Sequence, residues 1–260
     1  MLDRTRLAAI AQGGRTSQFQ VLAAFRRANS EDSQKLGAAW RAGDFEHMAT
    51  LAHRIEGACM MLGAMRLAGS CSRLAMAGRA GGLAQAQAAH GHFDRELQAL
   101  DDFLDTFPDD GTPVAQSDRV QDAELCKNLR FLVAEDHDFQ RLLMKRLLLR
   151  LGASDVQEAC DGASALRILE AGAPPVDILL LDFNMPGMDG IELIRLLGRS
   201  KQRVAVILNS ALSPSLLQSL SREAATHDVR LLGVVSKPLT TANIAAMVNI
   251  YRTGQHLKPL

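Results

Sequence analysis

The sequence has no surplus of either charge: Lys plus Arg and Asp plus Glu number 29 each. A nucleic-acid binder carries a basic excess, so that class is not indicated. Cysteines are few. Cys59, Cys71, Cys126 and Cys160 are scattered, with no CxxC pair. That pattern argues against a paired-cysteine zinc site or a disulfide framework and suits a reducing compartment. No apolar run reaches the roughly 18 residues of a membrane-spanning helix. The apolar part of the opening MLDRTRLAAIAQGG is too short for a signal peptide. These absences predict a soluble, cytoplasmic protein that engages neither membrane nor nucleic acid. A glycine-rich ATP-binding motif is also missing, so the chain is not expected to be a kinase. Only TGQHLKPL follows the last helical pattern, which leads us to expect no DNA-binding or catalytic output domain after it.

What is present fills about two domains. The chain has 260 residues, 47% of them hydrophobic, enough for real cores. Its first hundred or so residues are rich in Ala, Leu, Gln, Arg and Glu, with apolar residues at steps of three and four and no proline before Pro108. Gly43, Gly63 and the Gly81-Gly82 pair mark places for helices to stop. This predicts a helical bundle over residues 15–108. In TFPDDGTPVAQSDRVQ, from Thr106 to Gln121, the pattern dissolves into Pro, Asp, Gly and Ser, and we place a linker over 109–128. Beyond it, over 129–254, short apolar runs (FLVAED, VDILLLD, VAVILNS, LLGVVSKP) alternate with helical patterns, and a weaker strand lies around Asp155 to Ala159. Continuous rather than alternating apolar strands indicate a parallel sheet covered on both faces. The fold class is therefore α plus α/β, a bundle followed by a doubly wound sheet.

Ligands of such sheets bind at the carboxyl ends of the strands. Glu135 and Asp136 end the first strand and Asp182 the third; Ser210 ends the fourth and Lys237, before Pro238, the fifth. Carboxylates gathered in one place repel each other unless a cation sits among them. Oxygen donors without His or Cys favour a hard ion, Mg²⁺ above all. With an ammonium and a hydroxyl added, the set suits a phosphoryl group in transit. A hydrolase using the same acids would have no evident nucleophile or substrate pocket. His137, directly after the acidic pair, reads as a rim residue.

The segment from about Leu129 to Arg252, with DFNMPGMDG and a distant SKP, resembles a response-regulator receiver domain of two-component signalling. The resemblance implies a flavodoxin-like (βα)5 fold with Asp182 as phosphoryl acceptor. It implies Glu135, Asp136, Asp182 and the backbone carbonyl of Asn184 as Mg²⁺ ligands, Glu135 acting through water. Pro186 and Gly190 shape the loop, Ser210 supplies the hydroxyl that contacts the phosphoryl group, and Lys237 is the family's lysine. Glu135 stands where the family more often has Asp, and Val234 where it often carries an aromatic residue.

A second stretch, LAHRIEGACMMLGAMRLAGSCSRLAMAGRAGG from Leu51 to Gly82, centres on His53. At roughly 100° per residue, Leu51, Ile55, Ala58 and Leu62 fall on the side of the helix opposite His53. That stripe is the expected core, and His53 points outward. Gly57, one turn on, costs about 1 kcal/mol against Ala in a helix interior. A bare backbone there would let another protein approach the imidazole, and Met60 on the same side offers a soft contact.

Residues from roughly Ser17 to Phe107 resemble a histidine phosphotransfer domain, on the pattern His53, Gly57, Gly63 and Leu67 and the upstream RAGDFEHMATLAH. The family commonly has Lys three residues after the histidine. Here Glu56 adds a negative charge beside the phosphoryl position instead. The two resemblances together imply a bacterial His-Asp phosphorelay protein without kinase activity, carrying phosphoryl groups on His53 and Asp182. Its implied partners are a sensor histidine kinase or hybrid-kinase receiver and other response regulators. The competing reading is an adaptor that regulates a kinase by docking, without passing phosphate.

Overall fold

The computed structural model describes residues 2–11, 15–80, 83–106, 124–172, 174–183, 185, 190–200, 203–209, 214–235 and 237–254. The chain divides into two compact units, Met1–Ala115 and Gln116–Leu260.

The first unit is helical: α1 (Arg4–Ala11), α2 (Arg15–Ala42), α3 (Phe45–Leu62), α4 (Met65–Ala80) and α5 (Leu83–Asp105). Each of α2 to α5 packs on the helix before it in the chain. The expected stripe is the core face of α3: Leu51, Ile55, Ala58 and Leu62 are all buried, as are Phe25, Leu36, Leu74 and Phe93 on the other helices of the unit. Local chemistry sets the ends of α3. Asp44 caps its start by accepting from the His47 N–H at 3.0 Å, and Gly63 closes it in the left-handed conformation at φ 73°. On α4, Gly78 allows close approach to α3, since a Cβ there would lie 2.8 Å from the Phe45 carbonyl oxygen. Across the bundle, Arg26 on α2 reaches Asp101 and Asp105 on α5, and Asp32 on α2 holds Arg54 on α3 at 3.2 Å.

Helix α1 lies ahead of residue 15, where the sequence reading starts the bundle. It is anchored to the α3–α4 turn: the Asp3 N–H donates to Leu62 O, Arg6 Nη1 donates to Met60 O at 2.9 Å, and Leu7 is buried. Eight residues show too few turns for their period to declare a helix.

The second unit is a five-stranded, wholly parallel sheet in the order β2-β1-β3-β4-β5. Its elements are β1 (Arg130–Ala134), α6 (Asp138–Arg150), β2 (Asp155–Ala159), α7 (Gly162–Ala171), β3 (Ile178–Asp182), α8 (Gly190–Ser200), β4 (Ala205–Asn209), α9 (Pro214–Thr226), β5 (Arg230–Val235) and α10 (Thr241–Thr253). This is the flavodoxin-like, doubly wound arrangement. β3 and β4 are buried at every position because both faces are covered, whereas the edge strand β2 is only half-buried. Capping boxes at Asp161 with Ser164 and at Thr240 with Asn243 start α7 and α10. The chain leaves β1 toward β2 on one side and returns to β3 on the other. The gap between β1 and β3 is thus the topological switch point, where such sheets bind ligands. Residues 124–128, inside the stretch read as linker, form a turn held to this unit by Cys126 N–H on Leu151 O at 2.7 Å and by Arg252 on Lys127 O.

Gly63 combines two constraints. Its φ is left-handed, and a Cβ would stand 2.4 Å from the Cβ of Asp3. Gly63→Ala should therefore destabilise the helical unit by about 1–3 kcal/mol. Trp40 is the sole tryptophan and packs on Phe45 and His90 within this unit, so its fluorescence in urea reports that unit alone. An unchanged midpoint would show that neither constraint matters.

Candidate functional site

Glu135 and Asp136 follow β1 directly, and Asp182 is the last residue of β3. The switch point brings them together: each offers a carboxylate oxygen within 4.8 Å of the other two. Glu135 is fully buried and Asp182 is 4% exposed. Lys237, just past β5, sends its ammonium into this group. Nζ donates to Asp182 Oδ2 at 2.9 Å, to Glu135 Oε2 at 3.2 Å and to Gln140 Oε1 at 3.2 Å. Four of the expected site residues thus converge on one point. Ser210, Asn184 and Pro186 lie outside the described residues. β4 ends at Asn209, one residue before Ser210, and α8 begins at Gly190. Val234 lies in β5, half-buried against the sheet's core and paired in register with Leu208.

The first turn of α6 holds the acidic pair in place. The His137 N–H donates to Glu135 Oε1 at 3.2 Å, and Arg141 Nη1 donates to the Glu135 carbonyl at 2.8 Å. His137 is not a rim residue: it is 1% exposed and caps α6, its Nδ1 accepting from the Gln140 N–H. The cap satisfies a helix-end donor that burial would otherwise leave without a partner. Sequence reasoning misses Gln140 altogether. Its signal is faint: a polar residue in the first turn of a helix that follows an acidic pair, with a side chain that leans back over the helix start.

Burial pushes the Glu135 carboxyl up to about 8. Asp182 and Asp136 add to the rise, and Lys237 and the His137 N–H oppose it. Burial pulls the Lys237 ammonium down, but the Glu135 and Asp182 carboxylates outweigh it and hold Lys237 above the ordinary lysine value. The carboxylates have a hard ion's donor chemistry, oxygen only. Their oxygens lie within 4.8 Å of one another, close enough to share one such ion. The residues fit a divalent cation, which would take over part of the charge balance now supplied by Lys237.

On α3, the His53 side chain is 29% exposed, and Nδ1 lies 3.4 Å from Glu56 Oε2. His53 lies off the buried stripe, as its spacing predicts, and Met60 is half-buried. Gly57, however, is buried, so it does not offer the bare surface backbone expected from the sequence. Side chains three and four residues further on tilt back over its turn.

The raised Glu135 carboxyl has a signed consequence. The unfolded chain releases this proton near 4.5 while the folded protein keeps it until about 8. Without divalent cations, this group should make the sheet unit less stable as pH rises through that window. Mg²⁺ should bind more tightly across the same range, because binding displaces the proton. Hydrogen exchange of the sheet amides at pH 5 and 8 tests the first point, and Mg²⁺ titration tests the second. Glu135→Gln should flatten both profiles, and profiles as steep as the native ones would refute the assignment.

Comparison with known proteins places both units. Residues 131–249 match the response regulator receiver domain family and residues 20–103 match the Hpt domain family. The chain is 33% identical over 123 residues to the chemotaxis protein CheY-3 of Vibrio cholerae, covering 47% of this chain and 91% of that protein. It is 35% identical over 132 residues to the cyclic di-GMP phosphodiesterase RocR of Pseudomonas aeruginosa, covering 51% of this chain. It spans only 33% of RocR's length. Among solved structures, it is similar to the receiver domain of the histidine kinase CKI1 from Arabidopsis thaliana complexed with Mg²⁺ and BeF₃⁻. That match has 23% identity and a TM-score of 0.44, covering 51% of this chain and 95% of that one. With strand-end acids in a parallel sheet and an outward-facing histidine on a bundle helix, the chain belongs to the two-component His-Asp phosphorelay proteins, joining an Hpt domain to a response regulator receiver domain.

Proposed function

We propose that Asp182 is the phosphoryl acceptor of the receiver and His53 the phosphoryl carrier of the Hpt domain. The observation that carries the first assignment is the Lys237 ammonium 2.9 Å from Asp182 Oδ2, at the strand end where Glu135 and Asp136 converge. A carboxylate at a strand tip can be reached by a partner's phosphohistidine. An Asp182 oxygen attacks phosphorus as the bond to the partner's imidazole breaks, leaving an acyl phosphate. Lys237, already in contact with the acceptor, donates to the incoming phosphoryl oxygens, and Ser210 is assigned the second donor. Glu135, Asp136, Asp182 and the Asn184 carbonyl would hold Mg²⁺, which when bound offsets the negative charge of the phosphoryl group. The upstream partner is a sensor histidine kinase or the receiver of a hybrid kinase, and other response regulators are downstream. No described helix is long and apolar enough to cross a membrane, which is compatible with a cytoplasmic site of action.

Incubation with radiolabelled acetyl phosphate should give a base-labile label that needs Mg²⁺. Asp182→Asn should abolish it, and full labelling of that variant, or of native protein in excess chelator, would refute the acceptor assignment. Lys237→Ala should leave Mg²⁺ binding nearly intact while impairing phosphorylation, because the lysine serves the phosphoryl group. Lost Mg²⁺ affinity with full labelling would reverse the two roles.

A further inference from the structure

We infer that Glu56 is a positioning residue for His53: its carboxylate accepts the hydrogen bond of the Nδ1 proton, so that Nε2 carries the lone pair that takes the phosphoryl group. The inference rests on the reading of His53 as carrier and concerns which ring nitrogen reacts. From sequence alone, Glu56 is a charge that hinders an incoming phosphoryl anion. The structure gives it a different part. Three residues apart on α3, the two side chains are neighbours, and Glu56 leans toward the turn that bears His53. Nδ1 and Oε2 are 3.4 Å apart, with side chains 29% and 20% exposed. That partial burial keeps the pair from being fully screened by solvent. Hydrogen bonds of this kind are often long in the unliganded state and tighten when the reacting group arrives.

The hydrogen bond made by one imidazole nitrogen decides the state of the other. An acceptor at Nδ1 fixes the Nδ1–H tautomer. A lysine, common in the family at this position, has no acceptor to offer. Phosphoryl transfer then needs no proton to move. The Nε2 lone pair forms the N–P bond while the P–O bond of an aspartyl phosphate breaks, and that electron pair returns to the aspartate carboxylate. The ring becomes an imidazolium, phosphorylated on Nε2 and still protonated on Nδ1. Coulomb energy falls with distance. The ring charge arises beside Glu56, whereas the phosphoryl group, which carries the larger charge, sits on the far side of the ring. Attraction to the nearer cation therefore offsets repulsion from the more distant anion.

The test uses the full chain in an Asp182→Asn background, which confines labelling to His53. ¹⁵N NMR of the imidazole should show the Nδ1–H tautomer. Phosphoramidate, whose P–N bond breaks with release of ammonia, should give an acid-labile phosphohistidine on Nε2. Glu56→Ala should move the tautomer toward Nε2–H and slow labelling about 10–100-fold, as loss of a group that orients a reactive imidazole does elsewhere. Glu56→Gln retains an acceptor and should keep the tautomer while losing part of the rate. An unchanged tautomer in Glu56→Ala, or faster labelling, would overturn the inference. If His53 is never labelled in protein bearing Glu56, the carrier reading fails, and the NMR spectrum still decides whether Glu56 sets the tautomer.

Discussion

The Lys237 ammonium is bonded at once to Asp182, Glu135 and Gln140, and the receiver's architecture depends on this interaction. Gathering half-buried Asp136 with buried Glu135 and Asp182 sets like charges against one another in a medium that screens them less than water does. One ammonium cannot neutralise three carboxylates. Burial above all, with the neighbouring Asp182 and Asp136 carboxylates, raises the Glu135 carboxyl to about 8. A divalent cation would relieve the repulsion that Asp182 and Asp136 add to the effect of burial on the Glu135 carboxyl, and under the proposed function an incoming phosphoryl group meets a lysine already in place. The crowded carboxylates cost stability at the strand ends, and the fully buried strands behind them make that cost tolerable.

The shell around these acids is polar but closely connected. His137 caps α6 and lends its N–H to Glu135, Gln140 supplies an acceptor to Lys237, and Arg141 holds the Glu135 carbonyl. All three belong to the first turn of one helix. A shift of that turn would move the acidic pair and the lysine's anchor together, so the start of α6 acts as a single positioning element.

The Hpt unit meets the opposite requirement. Under the proposed function its carrier, His53, stands at the surface, so burial cannot tune it strongly, and that part falls to a neighbour on the same helix. Glu56, 3.4 Å from Nδ1, is such a neighbour. The ends of that helix are held in place: Asp44 caps it, Gly63 ends it, and α1 is bonded over the turn that follows.

Much of this was legible in the residues. Apolar runs that stop at Glu135 and Asp182 mark strand tips, and a period of 3.6 residues puts Leu51, Ile55, Ala58 and Leu62 in a core and His53 outside it. Such features are local, because a strand or a helix repeats its geometry every few residues. The tertiary structure alone decided what meets across long separations: Lys237 with Glu135, 102 positions away, and with Gln140, 97 away. It also decided burial that period does not encode, such as His137 enclosed as a cap and Gly57 covered rather than bare. The placing of Glu56 belongs there too. A sequence records that a carboxylate lies three residues from a histidine, and the side chains' directions on the packed helix set it beside Nδ1, the contact on which its inferred part rests.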